Sequence, residues 1–270
     1  MLGFGSISYL YFADRVAQLP LGVIGIALGT TLLTSLSKSD AIKDVNQFSK
    51  ELVISLKIGL FFSIPAALVF INFSDLLIKV LFERGEFSFQ ETIQTSHALF
   101  AYAFGVPAFI MLKSCQPAFL AEGNTKTPMY IGFLLLVCNI ILSFSLMIFL
   151  KHAGIALATS IVSWIGTIIY ITLLIKAGKI TKPKFSLKED NSNLFSVIHY
   201  GSKITLISCL MILSMKLAQH ILEIYYIKET FVLIFLCVFG FFMYILKAKI
   251  FKYIPQELYH FISLKFKKAK

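Results

Sequence analysis

The chain has 270 residues, a mean hydropathy of +0.82, 57% apolar residues and only 14% charged residues. Soluble globular chains carry about 25% charged residues, so this composition excludes a secreted disulfide scaffold, a disordered tail and most soluble enzymes. The net charge of +11 does not indicate a nucleic-acid partner, because the basic residues lie in short strips between long uncharged runs instead of on one water-facing surface.

Seven runs are long and apolar enough to cross a bilayer, which takes about 20 mostly apolar residues. In chain order they cover residues 16–37, 52–73, 92–112, 129–150, 153–175, 194–222 and 231–246. None shows the alternating polarity of a barrel strand of about 10 residues. The sequence therefore predicts an all-α fold, a polytopic transmembrane helix bundle of about seven spans.

Lysine and arginine mark the cytoplasmic side, because positive residues accumulate in the loops on that side. The connections after the first, third and fifth spans, together with the C-terminal segment, hold sixteen of them, and the other connections hold four. This bias predicts a cytoplasmic C-terminus. The predicted units are transmembrane helices over 1–176, a basic cytoplasmic loop over 177–193, a final helix pair over 194–250 and a basic cytoplasmic tail over 251–270.

The N-terminus of the chain then falls on the periplasmic side, since seven spans separate it from a cytoplasmic C-terminus. The first twelve residues, MLGFGSISYLYF, contain no Lys or Arg, so they lack the charged region of a signal peptide. We therefore expect an earlier helix to deliver Met1 to the outer face. On this expectation the sequence is the second part of a longer protein.

Charged residues inside the spans are candidate functional residues. Each costs about 2.5–3.5 kcal/mol at a helix centre and persists where it faces protein or water. Asp14 and Arg15 open the first span. Adjacent helix residues point about 100° apart, so one of them can line a cavity while the other holds a neighbouring helix. The alternative is that both lie in the outer headgroup layer.

Other polar and helix-breaking residues can each be interpreted in two ways, as structural or as functional. Pro20, Gly22 and Gly25 either permit close helix packing or form a hinge in a helix that opens and closes a cavity. Four lysines inside the spans have the simpler explanation that their long side chains reach the membrane interface. These lysines are Lys57, Lys113, Lys203 and Lys216.

Patterns typical of catalysis are missing from the sequence. The five histidines are scattered without an H-E-x-x-H spacing. The four cysteines stand singly in apolar runs and form no C-x-x-C pair. We therefore expect no enzyme activity, no bound metal and no cofactor.

The motifs of the first 176 residues resemble one family. The run SISYLYFADR at 6–15 is followed by QLPLGVIGIA at 18–27. Shorter matches follow in order: LFERG at 81–85, KSCQPAF at 113–119, KTP at 126–128 and LKHAG at 150–154. Together they resemble the MurJ (MviN) family of lipid II flippases, within the MOP exporter superfamily.

The resemblance implies an architecture and a substrate. Complete members have fourteen transmembrane helices, and this chain resembles helices eight to fourteen, a MOP/MATE-like lobe with a final helix pair. The two lobes line a cationic cavity for the diphosphate and sugar–peptide head of lipid II, and the final pair forms a groove for the polyprenyl tail. The implied partners are lipid II, membrane lipids and the missing N-terminal lobe. The cavity opens to each face in turn, with dependence on the membrane potential or a coupling ion.

The resemblance also assigns roles to particular residues. Arg15 belongs to the substrate site, where a guanidinium can bind phosphate oxygens bidentately, and Asp14 orients a neighbouring helix or balances charge. Lys57 and Lys113 match positions that are basic in relatives, so they are candidate cavity or gate residues.

Three positions depart from the family pattern. Thr34 stands where relatives usually have proline, and Glu122 occupies a position that is often arginine. Asn139 and Ser143 have the spacing of the sodium site of some relatives. They lack its carboxylate, so no sodium ion is expected.

The sequence is therefore interpreted as the C-terminal part of a lipid II flippase of the bacterial inner membrane, working by alternating access. A related polysaccharide or drug exporter of the superfamily is the alternative among transporters, and the Asp14–Arg15 pair and the KTP motif disfavour it. A non-functional or helper fragment of a split flippase gene is the alternative from another class.

Overall fold

The computed structural model describes residues 5–25, 28, 32–33, 35–37, 44–180, 194–251 and 253. Every regular element within these ranges is helical, which confirms the all-α prediction. A π-helical turn (Leu21–Gly25) follows the first helix. The α-helices are α1 (Ser6–Pro20), α2 (Val45–Phe82), α3 (Phe89–Ala103), α4 (Val106–Ala121), α5 (Lys126–Lys176), α6 (Leu194–Ile224) and α7 (Glu229–Ile250).

Four of the described helices, α2, α5, α6 and α7, are long and apolar enough to cross a membrane, and α3 with α4 forms a fifth candidate that is bent by 45°. Helix α5 reverses direction at Lys151, where φ is 51° and ψ is −133°. Asn139 Nδ2 lies 3.4 Å from Thr159 Oγ1, although a straight helix would separate these residues by about 30 Å. The predicted spans 129–150 and 153–175 are therefore two arms of a helical hairpin.

The turn of this hairpin is tightly packed. A Cβ added at Gly154 would lie 2.4 Å from the carbonyl oxygen of Leu146, so only glycine fits this position without a shift of the backbone. His152 is buried, and its Nε2 lies 2.8 Å from the carbonyl oxygen of Gln94 in α3. The turn is therefore fixed both to its own first arm and to the neighbouring helix.

Helix α2 is the centre of the bundle, because it packs against α3, α4, α6 and α7. Its side chains Leu56 and Phe61 are at most 1% exposed. Tyr244 of α7 donates a hydrogen bond to the carbonyl oxygen of Phe61. Gly240 lets α6 and α7 approach closely, since a Cβ there would lie 2.7 Å from Met215 Sδ. The final helix pair is therefore anchored on the centre of the bundle.

The predicted span 92–112 is broken between α3 and α4. Pro107 has no backbone N–H and cannot continue the hydrogen-bond ladder of a helix. The second arm of α5 supplies donors at the break: Ser160 Oγ lies 2.8 Å from the carbonyl oxygen of Ala101, and Trp164 Nε1 lies 2.9 Å from that of Phe104. These bonds supply donors to carbonyl oxygens that would find none in the hydrocarbon of a bilayer.

The first arm of α5 carries the most apolar segment of the described chain, and none of that segment is buried. Phe133, Ile148 and Phe149 are 68%, 75% and 83% exposed. A contiguous apolar surface of this kind is unstable in water. The hydrocarbon of a bilayer is therefore its natural solvent, as the composition predicts.

Glu122, which departs from the family pattern, has a local partner. Its carboxylate forms an ion pair with Lys179, which follows the C-terminal end of α5. The Lys179 ammonium also lies 4.5 Å from the Phe48 ring centroid, and Ser49 Oγ donates to the Lys179 carbonyl oxygen. The acidic residue therefore joins the ends of α4 and α5, while Lys179 contacts the start of α2. Thr34, most of the predicted loop 177–193 and most of the predicted tail 251–270 lie outside the described residues.

Candidate functional site

The Asp–Arg pair lies on α1, where its two side chains have different surroundings. Arg15 is exposed, and its guanidinium carbon lies 4.8 Å from the ring centroid of Tyr11, one turn earlier. Asp14 is half-buried, accepts a hydrogen bond from Gln18 Nε2, and interacts electrostatically with Tyr102 of α3. The two side chains therefore differ in exposure: Asp14 is partly covered, while Arg15 is open to the surroundings of the bundle.

No carboxylate of the described residues forms an ion pair with Arg15. A guanidinium in this position keeps its planar set of N–H donors available. Such a group can hold two oxygens of one phosphate or carboxylate at once. The geometry therefore suits recognition of an anion that approaches from outside the seven described helices.

The predicted hinge residues lie where α1 changes into the π-helical turn. Pro20 ends α1, and Gly22 and Gly25 belong to the turn. π-Helical turns are rare and frequently lie at functional sites. A Cβ at Gly25 would lie 3.6 Å from Lys113 Cγ, so the aliphatic part of this predicted gate lysine packs beside the turn. Movement of the hinge stays a prediction.

Lys57, the other predicted gate residue, lies against a different helix. Its Nζ is 5.9 Å from the ring centroid of Tyr200 in α6. Lys203 is also close to an aromatic ring, with its Nζ 4.7 Å from the Tyr253 centroid. Lys57 therefore contacts α6 while Lys113 packs beside the π-helical turn, and the gate role of the two lysines stays a prediction.

An apolar groove of about 330 Å³ runs between α1, α2, α6 and α7. We call it the α6–α7 groove. Its lining comes from Pro20, from α2, from the two methionines of α6 and from a face of α7. Residues that define it are Pro20, Pro65, Met211, Met215, Gly240 and Tyr244. Only Pro20 among them is predicted from the sequence as a site residue, because apolar residues occur throughout the chain and give no local signal.

A second apolar cavity, of about 500 Å³, lies between α2, α4, α5 and α6, with Leu60, Trp164 and Gly201 in its wall. It does not reach α1. The α6–α7 groove extends to α1, the helix of Arg15. It is therefore the better candidate for a site in which one ligand contacts both Arg15 and an apolar groove.

Metal ligands are not gathered anywhere in the described ranges, where no group of three His, Cys, Asp or Glu side chains could hold an ion. Asn139 and Ser143 bond to each other instead, with Ser143 Oγ 2.9 Å from Asn139 Oδ1. The Asn139 amide continues to Thr159 across the hairpin. This set of uncharged side chains therefore joins the two arms of α5.

Long apolar helices, broken and reversed spans and an outer arm with no buried segment define a polytopic α-helical membrane protein. Its candidate site combines an exposed arginine with an apolar groove on the same helix. The family model for "Lipid II flippase MurJ" matches residues 1–235. The chain belongs to the MurJ family. The match continues beyond residue 176, where the recognisable motifs end, and includes α6 and the start of α7.

Curated relatives named lipid II flippase MurJ match about 60% of the chain. The "Probable lipid II flippase MurJ" of Rickettsia prowazekii (strain Madrid E) is 41% identical over 160 residues, which are 59% of this chain and 32% of that protein. The one of Rhizobium meliloti (strain 1021) is 35% identical over 174 residues, 64% of this chain and 32% of that protein. The "Lipid II flippase MurJ" of Burkholderia cenocepacia is 30% identical over 177 residues, 66% of this chain and 34% of that protein. The matched part of the chain spans about a third of the length of these relatives.

Proposed function

We propose that this chain is the C-terminal part of a lipid II flippase. The complete protein moves the undecaprenyl-linked peptidoglycan precursor from the inner to the outer leaflet of the bacterial inner membrane. One observation carries the proposal: Arg15 and the groove-lining Pro20 lie on the same helix, five residues apart. That spacing is about 7.5 Å along the helix axis and about 140° around it, so a lipid with its phosphate at Arg15 reaches the α6–α7 groove with a tail that passes around α1, which a long polyprenyl chain allows.

The chemistry of the two places supports a lipid carrying a diphosphate. A polyprenyl tail is a pure hydrocarbon, and the groove offers carbon surface from four helices. A diphosphate carries two or more negative charges. Arg15 carries a permanent positive charge, because arginine stays protonated in proteins. No covalent bond of the substrate changes, so the proposed activity is transport and not enzyme catalysis.

The proposed movement is alternating access about the π-helical turn. Arg15 lies before the turn and Lys113 packs beside it. Bending there would reorient the charged part of α1 relative to the bundle. A charged site that crosses the bilayer feels the membrane potential, at about 2.3 kcal/mol for each charge and 100 mV, which supports dependence on the potential or on a coupling ion.

The proposed complete protein places the C-terminus of this chain in the cytoplasm and needs a first lobe. Arg15 faces away from the described helices, so this chain provides one wall of a cavity. The proposed N-terminal lobe supplies the facing wall and the remaining positive charges around the diphosphate.

The test measures whether the headgroup of lipid II becomes accessible from outside a liposome. The chain joined to a family first lobe is reconstituted into liposomes with fluorescent lipid II confined to the lumenal leaflet, and an impermeant reagent outside destroys exposed label. We expect the label to become accessible with the protein and to stay protected in protein-free liposomes. Transport of a polyprenyl-linked polysaccharide or of a cationic drug, with lipid II left protected, would instead assign the chain to another exporter of the superfamily.

A further inference from the structure

Lys247 of α7 bonds through its ammonium to the neighbouring helix α6. Its Nζ donates to the carbonyl oxygen of Leu210, at 2.6 Å, and lies 3.4 Å from Ser214 Oγ. Leu210 is near the centre of the 31-residue helix α6. Side chains on a helix tilt toward its N-terminus, and for Lys247 this direction leads along α7 toward Tyr244 and Gly240, which line the α6–α7 groove.

The carbonyl oxygen of Leu210 does not need the contact with Lys247 in order to be hydrogen-bonded. A carbonyl inside a helix already accepts the N–H of the residue four positions later, and both Leu210 and Ser214 are inside α6. Lys247 is partly exposed, so its ammonium can reach an anionic group outside the helix pair. Lysine also has three N–H donors, and the two contacts to α6 leave one of them for a ligand.

The position of Lys247 continues the lining of the α6–α7 groove. Gly240 and Tyr244 line it, and Lys247 lies seven and three residues after them, on the same helix face. The two α6 residues that contact its ammonium directly precede the lining residues Met211 and Met215. One positive charge therefore lies at the C-terminal end of α7, beside an otherwise apolar groove.

We propose that Lys247 is a positioning residue that binds the phosphate of a polyprenyl phosphate or diphosphate lipid while the lipid tail lies in the α6–α7 groove. The inference rests on the proposed function and deepens it by adding a phosphate contact at the groove, separate from the one at Arg15. A lipid held this way has its phosphate at the end of the groove where α7 ends, and its tail extends toward Pro20 and the helix of Arg15. Lys247 then holds the lipid before its headgroup reaches the cavity.

The test measures binding of two probes with the same tail to the 270-residue chain in nanodiscs of neutral lipid. The probes are undecaprenyl diphosphate, which carries the phosphates, and undecaprenol, which does not. The variants are Lys247→Met, Lys247→Arg and, as the matched control, Lys249→Met. Lys249 is exposed and lies two residues further along the same helix.

We expect Lys247→Met to weaken binding of the diphosphate about tenfold, the size of one hydrogen bond to a charged group, and to leave undecaprenol binding unchanged. Lys247→Arg and Lys249→Met should bind both probes as the unmodified chain does. Equal losses for both probes in Lys247→Met would make the lysine a structural link between α6 and α7 and overturn the inference, as would no loss at all. If the unmodified chain binds neither probe, the inference is wrong, while the liposome test of headgroup accessibility decides the proposed function separately.

Discussion

Replacing Arg15 with lysine in the complete protein is expected to slow lipid II transport about tenfold, and replacing it with alanine about a hundredfold. These figures correspond to the loss of one or two hydrogen bonds to a charged group. Lysine keeps the charge but offers a compact ammonium without the planar fork that holds two phosphate oxygens. A purely electrostatic role would let lysine substitute fully, so the lysine variant separates geometry from charge.

The matched control is Lys228→Ala, which removes one exposed positive charge at the turn between α6 and α7. Transport of fluorescent lipid II in liposomes is compared for the three variants at equal protein density. The control should transport at the unmodified rate. Full activity of Arg15→Ala would remove Arg15 from the substrate site and leave the headgroup layer as its environment.

Gly154→Ala is expected to destabilise the chain by about 1–3 kcal/mol, the range for overpacking in a well-packed site. The added methyl would lie 2.4 Å and 2.5 Å from the carbonyl oxygen and carbon of Leu146. These are backbone atoms, so no side-chain rotation relieves the clash and the hairpin of α5 must open. The melting temperature in detergent should fall by about 2–12 °C, at about 2–4 °C for each kcal/mol.

Gly132→Ala is the control for this prediction, because Gly132 is an exposed glycine of the same helix with no atom within 4 Å of its added Cβ. Alanine there should leave the melting temperature unchanged or raise it slightly, since alanine is the better helix former by about 1 kcal/mol. Equal melting temperatures for both variants would show that the turn at Lys151 is not tightly packed.

The hairpin of α5 is an element that sequence could predict closely. Two uncharged runs end and begin on either side of Lys151 and His152, and the reversal occurs at Lys151. Hydrophobic length alone is sufficient here, because a bilayer limits a span to about 20 residues.

The break between α3 and α4 could not be predicted in the same way. Pro107 is visible in the sequence, but prolines inside membrane helices often leave only a kink. What makes a full break stable is the pair of donors, Ser160 and Trp164, from a helix more than fifty residues later. That pairing is a property of the tertiary structure.

Part of the candidate site is visible in the sequence. Arg15 and Asp14 are charged residues in an apolar run, which sequence detects because charge is rare there. The groove consists of apolar residues that have the same appearance as lipid-facing ones, so its location depends on how α6 and α7 pack on α2. Lys247 illustrates the limit most clearly: by position it counts among the cytoplasmic lysines, whereas its ammonium bonds to Leu210.

Complementation of cells depleted of their own flippase tests the central claim most directly. Three strains are compared: one with this chain, one with a separately encoded first lobe from a relative, and one with both in the same membrane. Growth and outer-leaflet lipid II are expected to return only when both parts are present, because in the proposed function this chain supplies only one wall of the cavity. Restoration of both by this chain alone would contradict the account.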